Sequence, residues 1–314
     1  MSIHHRFLIL IFTLPLLVNA QQLPYYTQYR SNDFMINPAI TGTKRIIDAR
    51  INYRMQWVGY EGAPSTATMG INGRFLKGTM GAGLYLIQDK IGPSNQTNMG
   101  GSYAYHIKFP DCELSAGVAG NYTNYSLVGN KITLFDPVDP AIDQSIVNKA
   151  SVIDLNSGLY LYNDRFCMGL SVLHTLKSSA TFKTPTGEGT VKYFNHIYLQ
   201  LGYNMSNNND YRWENNIFAN YVAAAPFVLD YTMRVHYKEM VFAGVSIRLK
   251  DAVAFHVGYT FFDNFQVSYS YDLLISKLRK YSIGSHEIML VYSTNFYKTK
   301  NGRVNDRFLN QKFR

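Results

Sequence analysis

The sequence predicts an all-β protein, a transmembrane up-and-down antiparallel β-barrel of about 14 strands. Apolar and polar residues alternate with a period of two along most of the chain, as they do from Phe265 to Asp272. Many of these runs reach about 10 residues, the length with which a tilted strand crosses a bilayer. An export signal precedes them, and no later apolar run is long enough for a membrane helix. A closed barrel is then the remaining way to satisfy backbone polar groups in lipid.

Residues 1–20 have the features of a secretory signal peptide. His4, His5 and Arg6 make a basic start, an apolar run continues to Val18, and Ala20 supplies a small residue at the cleavage point. No cysteine follows directly, which argues against a lipoprotein. We expect the mature chain to begin near residue 21, beyond the inner membrane.

Residues 21–45 form a lead-in without clean alternation. Asn37-Pro38-Ala39 and Gly42 indicate turns rather than a strand. From the strand count we expect this segment to start on the periplasmic side and to enter the lumen as a partial plug.

Turn signals divide the remainder, 46–297, into barrel strands. We expect these near 46–58, 65–75, 79–89, 96–108, 112–125, 151–163, 165–175, 191–206, 211–221, 227–237, 240–250, 252–262, 264–273 and 284–296. Connections after even-numbered strands are short, whereas those after odd-numbered strands tend to be long, as at 126–150, 176–190 and 274–283. Short periplasmic turns and long extracellular loops produce this asymmetry, which predicts an outer-membrane protein with periplasmic N- and C-termini.

Strand parity assigns the two faces of the wall. We expect Leu229, Val245, Val257 and Tyr269 to face lipid, and Asp230, Arg248, His256 and Ser270 to face inward. The chain has 25 Tyr against 19 Phe, an excess that suits aromatic girdles at the membrane interfaces.

The first and fourteenth strands must pair to close the barrel. Counting places Arg54 near Glu287, with both side chains on the polar face, so we predict a direct or water-bridged ion pair in a hydrated lumen. Arg50 and Asp272 are the alternative partners. This pairing would fix the register, because a slip of one residue turns every side chain to the wrong face.

The formal net charge of +9 has a local source at the C-terminus. Residues 298–314 contain six basic residues and one acidic residue and are predicted to be a disordered tail, with no indication of nucleic-acid binding. Cys112 and Cys167 lack metal or redox spacing; we interpret them as packed or free thiols, with a disulfide as the less favoured alternative.

Searches for catalytic patterns predict no enzyme, no cofactor and no metal. Gly284-Ser285-His286-Glu287 does not continue into a zinc-binding His-Glu-x-x-His helix, and Gly-x-Ser-x-Gly is absent. The histidines at 106, 196, 236 and 256 fall on polar faces and are expected to fill the lumen. Asp136, Asp139 and Asp143 are interpreted as solvated loop carboxylates, with Ca²⁺ ligation as the alternative.

Several stretches in fixed order carry a family resemblance. They are Gln28-Tyr29, Asn37-Pro38-Ala39 with Gly42, Arg54-Met55-Gln56-Trp57-Val58-Gly59, Gly62-Ala63-Pro64, Gly81-Ala82-Gly83 with Asp89 and Gly92, and Tyr269-Ser270-Tyr271-Asp272 followed by Gly284-Ser285-His286-Glu287-Ile288. With these stretches the sequence resembles the PorP/SprF-type outer-membrane family of the type IX secretion system. The resemblance implies a barrel in outer-membrane lipid that works with other secretion components. It also implies surface retention of large secreted partners, including gliding adhesins in some members.

The sequence thus supports a noncatalytic barrel that binds a secreted protein and retains it at the cell surface. A porin or a hydrophobic-solute transporter is the main alternative, and an outer-membrane hydrolase is a distant third. We expect loops 126–150 and 176–190 to share the outer end with the connection Gly59, Tyr60, Glu61, Gly62, Ala63 and Pro64, and to form the docking surface.

Overall fold

The computed structural model describes residues 23–44, 46–75, 78–132, 147–184, 187–208, 210–223, 225–262 and 264–294. The predicted signal peptide, the basic tail and the loop carboxylates Asp136, Asp139 and Asp143 lie outside these residues. None of the helices in the described part of the chain is long and apolar enough to cross a membrane.

Sixteen strands follow one another along the described parts of the chain. They are β1 (Ile47–Met55), β2 (Ser65–Phe75), β3 (Met80–Ile91), β4 (Ser94–Lys108), β5 (Glu113–Val128), β6 (Val147–Tyr162), β7 (Phe166–Leu173), β8 (Ser179–Thr184), β9 (Gly187–Lys192), β10 (His196–Asn208), β11 (Tyr211–Val222), β12 (Val228–Tyr237), β13 (Val241–Arg248), β14 (Ala252–Phe261), β15 (Phe265–Leu274) and β16 (Ser285–Thr294). Short helical turns occupy Tyr29–Ser31, Asp33–Ile36, Pro38–Ile40, Gly129–Lys131 and Lys277–Lys280.

All of these strands except β8 and β9 form one closed barrel, in which sequence neighbours pair antiparallel, β7 pairs with β10, and β1 pairs with β16. This confirms the predicted fold class and its 14 strands. The structure differs at 176–190, which we had expected to be a loop. There β8 and β9 form a separate hairpin, and Ala180 packs against Val152 and Tyr193. Such short strands carry too little alternation to be recognised from the sequence.

The two ends of the barrel differ in their connections. One end, the loop end, carries 56–64, 129–146, 174–195 and 275–284, together with three shorter connections at 92–93, 223–227 and 249–251. The other end, the turn end, carries 76–79, 109–112, 163–165, 209–210, 238–240 and 262–264. β1 begins and β16 ends at the turn end.

The two faces of the wall follow the predicted parity. Val257 is 53% exposed and Tyr269 is 39% exposed on the outer face, whereas Asp230, His256 and Ser270 are buried on the inner face. The inner face carries many buried charged and polar side chains, which require partners inside the barrel.

Residues 23–44, the lead-in, supply many of those partners from within the lumen. Leu23 lies in the loop-end half, where it lines the same cavity as Leu173 and Val228. Lys44 lies at the turn end, where its Nζ is 2.9 Å from Asp48 Oδ2. The strand count predicts that the lead-in starts at the end where β1 begins. Its described start instead lies in the opposite half, where its tyrosines have apolar and hydrogen-bonding partners.

Candidate functional site

A buried ion cluster lies at the seam, where β1 pairs with β16. Arg54 is opposite Glu287 in the register, and its Nη1 is 3.0 Å from Glu287 Oε2. Its Nη2 is 2.8 Å from Asp272 Oδ2 on β15. These side chains are at most 1% exposed. The prediction of a hydrated lumen is therefore wrong at this position. The lead-in excludes the water.

Thr27 of the lead-in completes the cluster. Its backbone N–H donates to Glu287 Oε2 at 2.8 Å, and its hydroxyl donates to Asp272 at 2.8 Å. The same hydroxyl oxygen accepts from Arg54 at 2.6 Å. Charge-assisted hydrogen bonds of this kind are the stronger ones in proteins, so the seam and the lead-in stabilise each other.

Arg248 extends the cluster towards β12. Its guanidinium lies 3.8 Å from the ring centroid of Tyr25, and its Nη1 is 3.4 Å from Asp272 Oδ2. The Tyr25 hydroxyl donates to Asp230 at 3.0 Å. Arg248 also lies 3.5 Å from Asp230 and 3.0 Å from Asp251, so it adds a second positive charge to a cluster of several carboxylates.

Arg50, an alternative partner in the predicted seam pair, does not join this cluster. Its Nε is 2.7 Å from Asp48 and its Nη1 is 3.0 Å from Asp33 of the lead-in. Asp33 also accepts from Arg30 at 2.9 Å, and Arg30 reaches Glu214 at 3.1 Å. A second chain of ion pairs therefore joins the lead-in to β1 and β11.

On the side of the barrel formed by β5 and β6, the backbone of the lead-in lies in direct contact with the wall. A Cβ on Gly117 of β5 would lie 2.6 Å from Ala39 Cα, and one on Gly158 of β6 would lie 3.3 Å from Pro38 Cδ. The Asn37 amide donates to the carbonyl of Leu159 at 3.1 Å. Glycine is required at these wall positions because the turn Asn37-Pro38-Ala39 lies directly on the sheet.

The last residues of the lead-in follow the same pattern. Thr41 donates its hydroxyl to Ser102 at 2.8 Å, and its carbonyl oxygen lies 3.0 Å from His106 Nε2. The backbone N–H of Gly42, which has a φ of +78°, donates to Asn72 at 3.0 Å. The turn residues that carry the family resemblance therefore serve to position the lead-in.

The lead-in separates two cavities that share no lining residue. The loop-end pocket, about 80 Å³, is lined by aromatic and amide side chains that include Tyr26, Tyr198, Phe218 and Asn98. The turn-end vestibule, about 510 Å³, is lined by charged side chains that include Arg30, Glu214, Arg234 and His236. Cys112 and Cys167 also line the vestibule as free thiols.

The predicted docking segments that the structure describes lie at the loop end. The backbone N–H of Val58 donates to Gly284 at 2.8 Å, and that of Gly92 donates to Gly62 at 3.0 Å. These bonds tie the connection containing Gly59, Tyr60, Glu61, Gly62, Ala63 and Pro64 to its neighbours. Tyr60 is 53% exposed within it.

His174 lies directly after β7 and packs against Tyr193, the residue that follows β9. Its ring stacks on Tyr193 at 3.9 Å between centroids, and its Nδ1 is 3.8 Å from Asp154 Oδ2. Burial lowers the pKa of His174 to about 4, although the nearby Asp154 acts in the opposite direction. The histidine is therefore neutral near pH 7.

Reasoning from sequence found Arg54, Asp272 and Glu287 but missed Thr27, Tyr25 and Asp33. Those three lie in a segment without periodicity, so no pattern indicated which side chains face the wall. The sequence feature that could have indicated these contacts is the charge on β1. Its inner face carries Asp48, Arg50 and Arg54, which need polar partners, and the lead-in contains polar residues that no strand pattern assigns.

Comparison with known proteins gives a family and a fold. A sequence model of the family described as type IX secretion system membrane protein PorP/SprF matches residues 18–292. No curated protein matches the chain. Among solved structures, the Ralstonia pickettii toluene transporter TbuX is similar with a TM-score of 0.52 at 11% identity, covering 84% of this chain and 93% of its own. The monoaromatic hydrocarbon channel CymD is similar with a TM-score of 0.51 at 12% identity, covering 85% of this chain and 93% of its own.

Proposed function

The chain belongs to the PorP/SprF family of type IX secretion system membrane proteins, and from this premise we propose that it is a noncatalytic barrel that binds a secreted protein and retains it at the cell surface. A gliding adhesin is one such partner. The loop end would face the exterior, and the turn end would face the periplasm and other secretion components. The C-terminus would then be periplasmic, while Leu23 would lie in the outer half of the lumen.

The observation that carries this proposal is the occupied lumen. The lead-in is joined to the wall through Arg54, Asp272 and Glu287, and the cavities at its two ends share no lining residue. A solute would pass only if the lead-in or the side chains around it moved. The exposed loops, by contrast, are already available to a macromolecule, and loops on a rigid scaffold are common binding sites.

The docking surface would combine the connection 59–64, the loop between β5 and β6, and the hairpin of β8 and β9. These segments emerge at one end of the barrel. Asp136, Asp139 and Asp143 belong to the same loop in the sequence and would contribute carboxylates to this surface.

Replacement of 129–146 by a short Gly-Ser turn tests this proposal. We expect the barrel to assemble and the secreted partner to be lost from the surface, measured by pull-down from outer membranes with mass spectrometry. A matched replacement of 109–112, at the turn end, should keep the partner. Unchanged retention after all three docking segments are altered would exclude the proposal.

Transport of a hydrophobic solute is the second candidate, favoured by the aromatic lining of the loop-end pocket at Tyr26, Tyr198 and Phe218. Transport predicts uptake of an aromatic solute by vesicles that contain the protein, and a porin predicts conductance in planar bilayers. Retention of a secreted protein without either activity would favour the first proposal.

A further inference from the structure

Among the residues that the structure describes, Arg234 on β12 is a buried arginine with no carboxylate oxygen in direct ion-pair contact, although Glu214 acts on its charge from a greater distance. It is 3% exposed, and neither its Nε nor its Nη2 has a hydrogen-bond partner. Five other arginines of the inner wall each have a carboxylate oxygen at 2.7 to 3.0 Å; they are Arg50, Arg54, Arg74, Arg212 and Arg248. Within the described ranges Arg234 therefore stands apart from these five.

The neighbours of Arg234 do not compensate its charge by direct contact. Glu214 lies opposite it in the β11–β12 register, but the Glu214 oxygens bond to Arg30 at 3.1 Å and to His236 at 3.0 Å. The ring of Phe242 lies 5.3 Å from the guanidinium carbon. Such a ring contact attracts a cation only weakly compared with the cost of removing that cation from water. The guanidinium of Arg234 would therefore gain from direct contact with an anion.

The turn-end vestibule gives an anion access to this cation. Arg234 lines it together with Asn204, His236, Phe242 and Gln266. Its volume of about 510 Å³ is larger than a single inorganic anion needs. Amide side chains in the lining can bond to peptide groups, while a guanidinium binds a carboxylate through two parallel hydrogen bonds.

We propose that the turn-end vestibule receives a carboxylate carried by a peptide segment, and that Arg234 is the group that binds it. This site lies at the opposite end from the loops that would retain a secreted protein. It would thus contact an acidic segment of a second protein that approaches from the turn end, independently of the first partner.

Calorimetric titration of the full-length protein in detergent micelles tests the proposal. The probe is a triglutamate peptide with blocked termini, compared with a triglutamine peptide and with inorganic phosphate. We expect triglutamate to bind, triglutamine not to bind, and Arg234→Gln to weaken triglutamate binding by about tenfold or more. Arg165→Gln is the matched control, because Arg165 is an exposed arginine at the same end; it should leave the affinity unchanged.

A second pair of variants keeps Arg234 and does not depend on the stability of Arg234→Gln. Phe242→Glu would supply the carboxylate internally, so it should abolish triglutamate binding and raise the melting temperature above that of Phe242→Gln. Equal triglutamate affinity in wild type and Arg234→Gln, or in wild type and Phe242→Glu, would overturn the proposal. Binding of phosphate without triglutamate would also overturn it, since an adventitious ion only would then explain the site.

Discussion

The two halves of the lead-in are held in the barrel by different physical means. Residues 25–33 contact β1, β11, β12, β15 and β16 through ion pairs and hydrogen bonds to charged groups, with Thr27 at the centre of one cluster. Residues 34–42 lie against β2 to β7, where Gly117 and Gly158 allow the backbone to approach the wall. Charged groups hold the first half, whereas close backbone approach, together with hydrogen bonds between neutral groups, holds the second.

The difference teaches which half tolerates substitution. A buried ion pair gives little net stability over an apolar pair, yet loss of one member leaves an uncompensated charge. A close contact fails only when atoms are added. We therefore expect the first half to be damaged by deletion of side-chain atoms and the second half by their addition.

The largest effect is expected for Arg54→Leu. It leaves Asp272 and Glu287 buried with reduced compensation, which should cost about 3–5 kcal/mol of unfolding free energy in urea titrations. The triple variant Arg54→Leu, Asp272→Asn and Glu287→Gln should recover most of this loss because it removes the charges together. A cost for Arg54→Leu no greater than that of the exposed control Arg165→Gln would contradict the role of charge.

Gly117→Val tests the half held by close backbone approach. The added atoms would displace Ala39, at a cost of about 1–3 kcal/mol. Hydrogen exchange of residues 34–42, followed by mass spectrometry, should become faster. Gly120→Val is the matched control on the same strand, because a Cβ there lies 4.0 Å from Leu155 and faces outward. Equal exchange in the two variants would show that close approach at Gly117 does not hold the lead-in.

Thr27→Val separates the hydroxyl of the seam cluster from its backbone bond. The change removes the donor to Asp272 and the acceptor for Arg54 but keeps the N–H bond to Glu287. We expect a loss of about 1–2 kcal/mol in the same urea titrations. Thr68→Val, on β2, is the threonine control, because no hydrogen-bond partner of the buried Thr68 hydroxyl is found among the described residues; it should change stability little. If Thr27→Val unfolds at the wild-type urea concentration, the hydroxyl does not support the cluster.

The smallest effect is expected for His174, a buried neutral histidine that lies outside the lead-in. Its pKa of about 4 in the folded protein is below the ordinary value, so the unfolded chain takes up the proton first as the pH falls. The stability it contributes is complete above pH 6.5 and declines towards pH 4. Between pH 7 and about pH 5.5 the loss should be about 1 kcal/mol.

His174→Gln removes this titration while other groups remain in place. The difference in unfolding free energy between wild type and His174→Gln should therefore depend on pH over this interval. A difference that stays constant from pH 7 to pH 5.5 would show that the ring is not buried in its neutral form.

Much of the barrel wall was predictable because alternation is a local property of the chain. β2 spans 65–75 in both prediction and structure, and the strand count determines that β1 meets β16, which brings Arg54 opposite Glu287. The lead-in contacts were not predictable, since Thr27 and Glu287 are 260 residues apart and no periodicity orients Thr27. Arg234 was missed for a different reason: its sequence pattern is that of any inward-facing wall residue, and only the positions of other carboxylates distinguish it.

The path of the lead-in has a consequence for the order of folding. Thr27 precedes every strand of the barrel in the chain, but its partners Asp272 and Glu287 are on the last two strands. Contacts so distant in sequence form slowly, because the loop-closure entropy is lost before they can stabilise the chain. Closure of β1 against β16 around an absent lead-in would trap Arg54 without Thr27. We therefore expect the lead-in to occupy the lumen before or while β1 pairs with β16. A segment that precedes all of the barrel strands would then assist the last pairing of the wall.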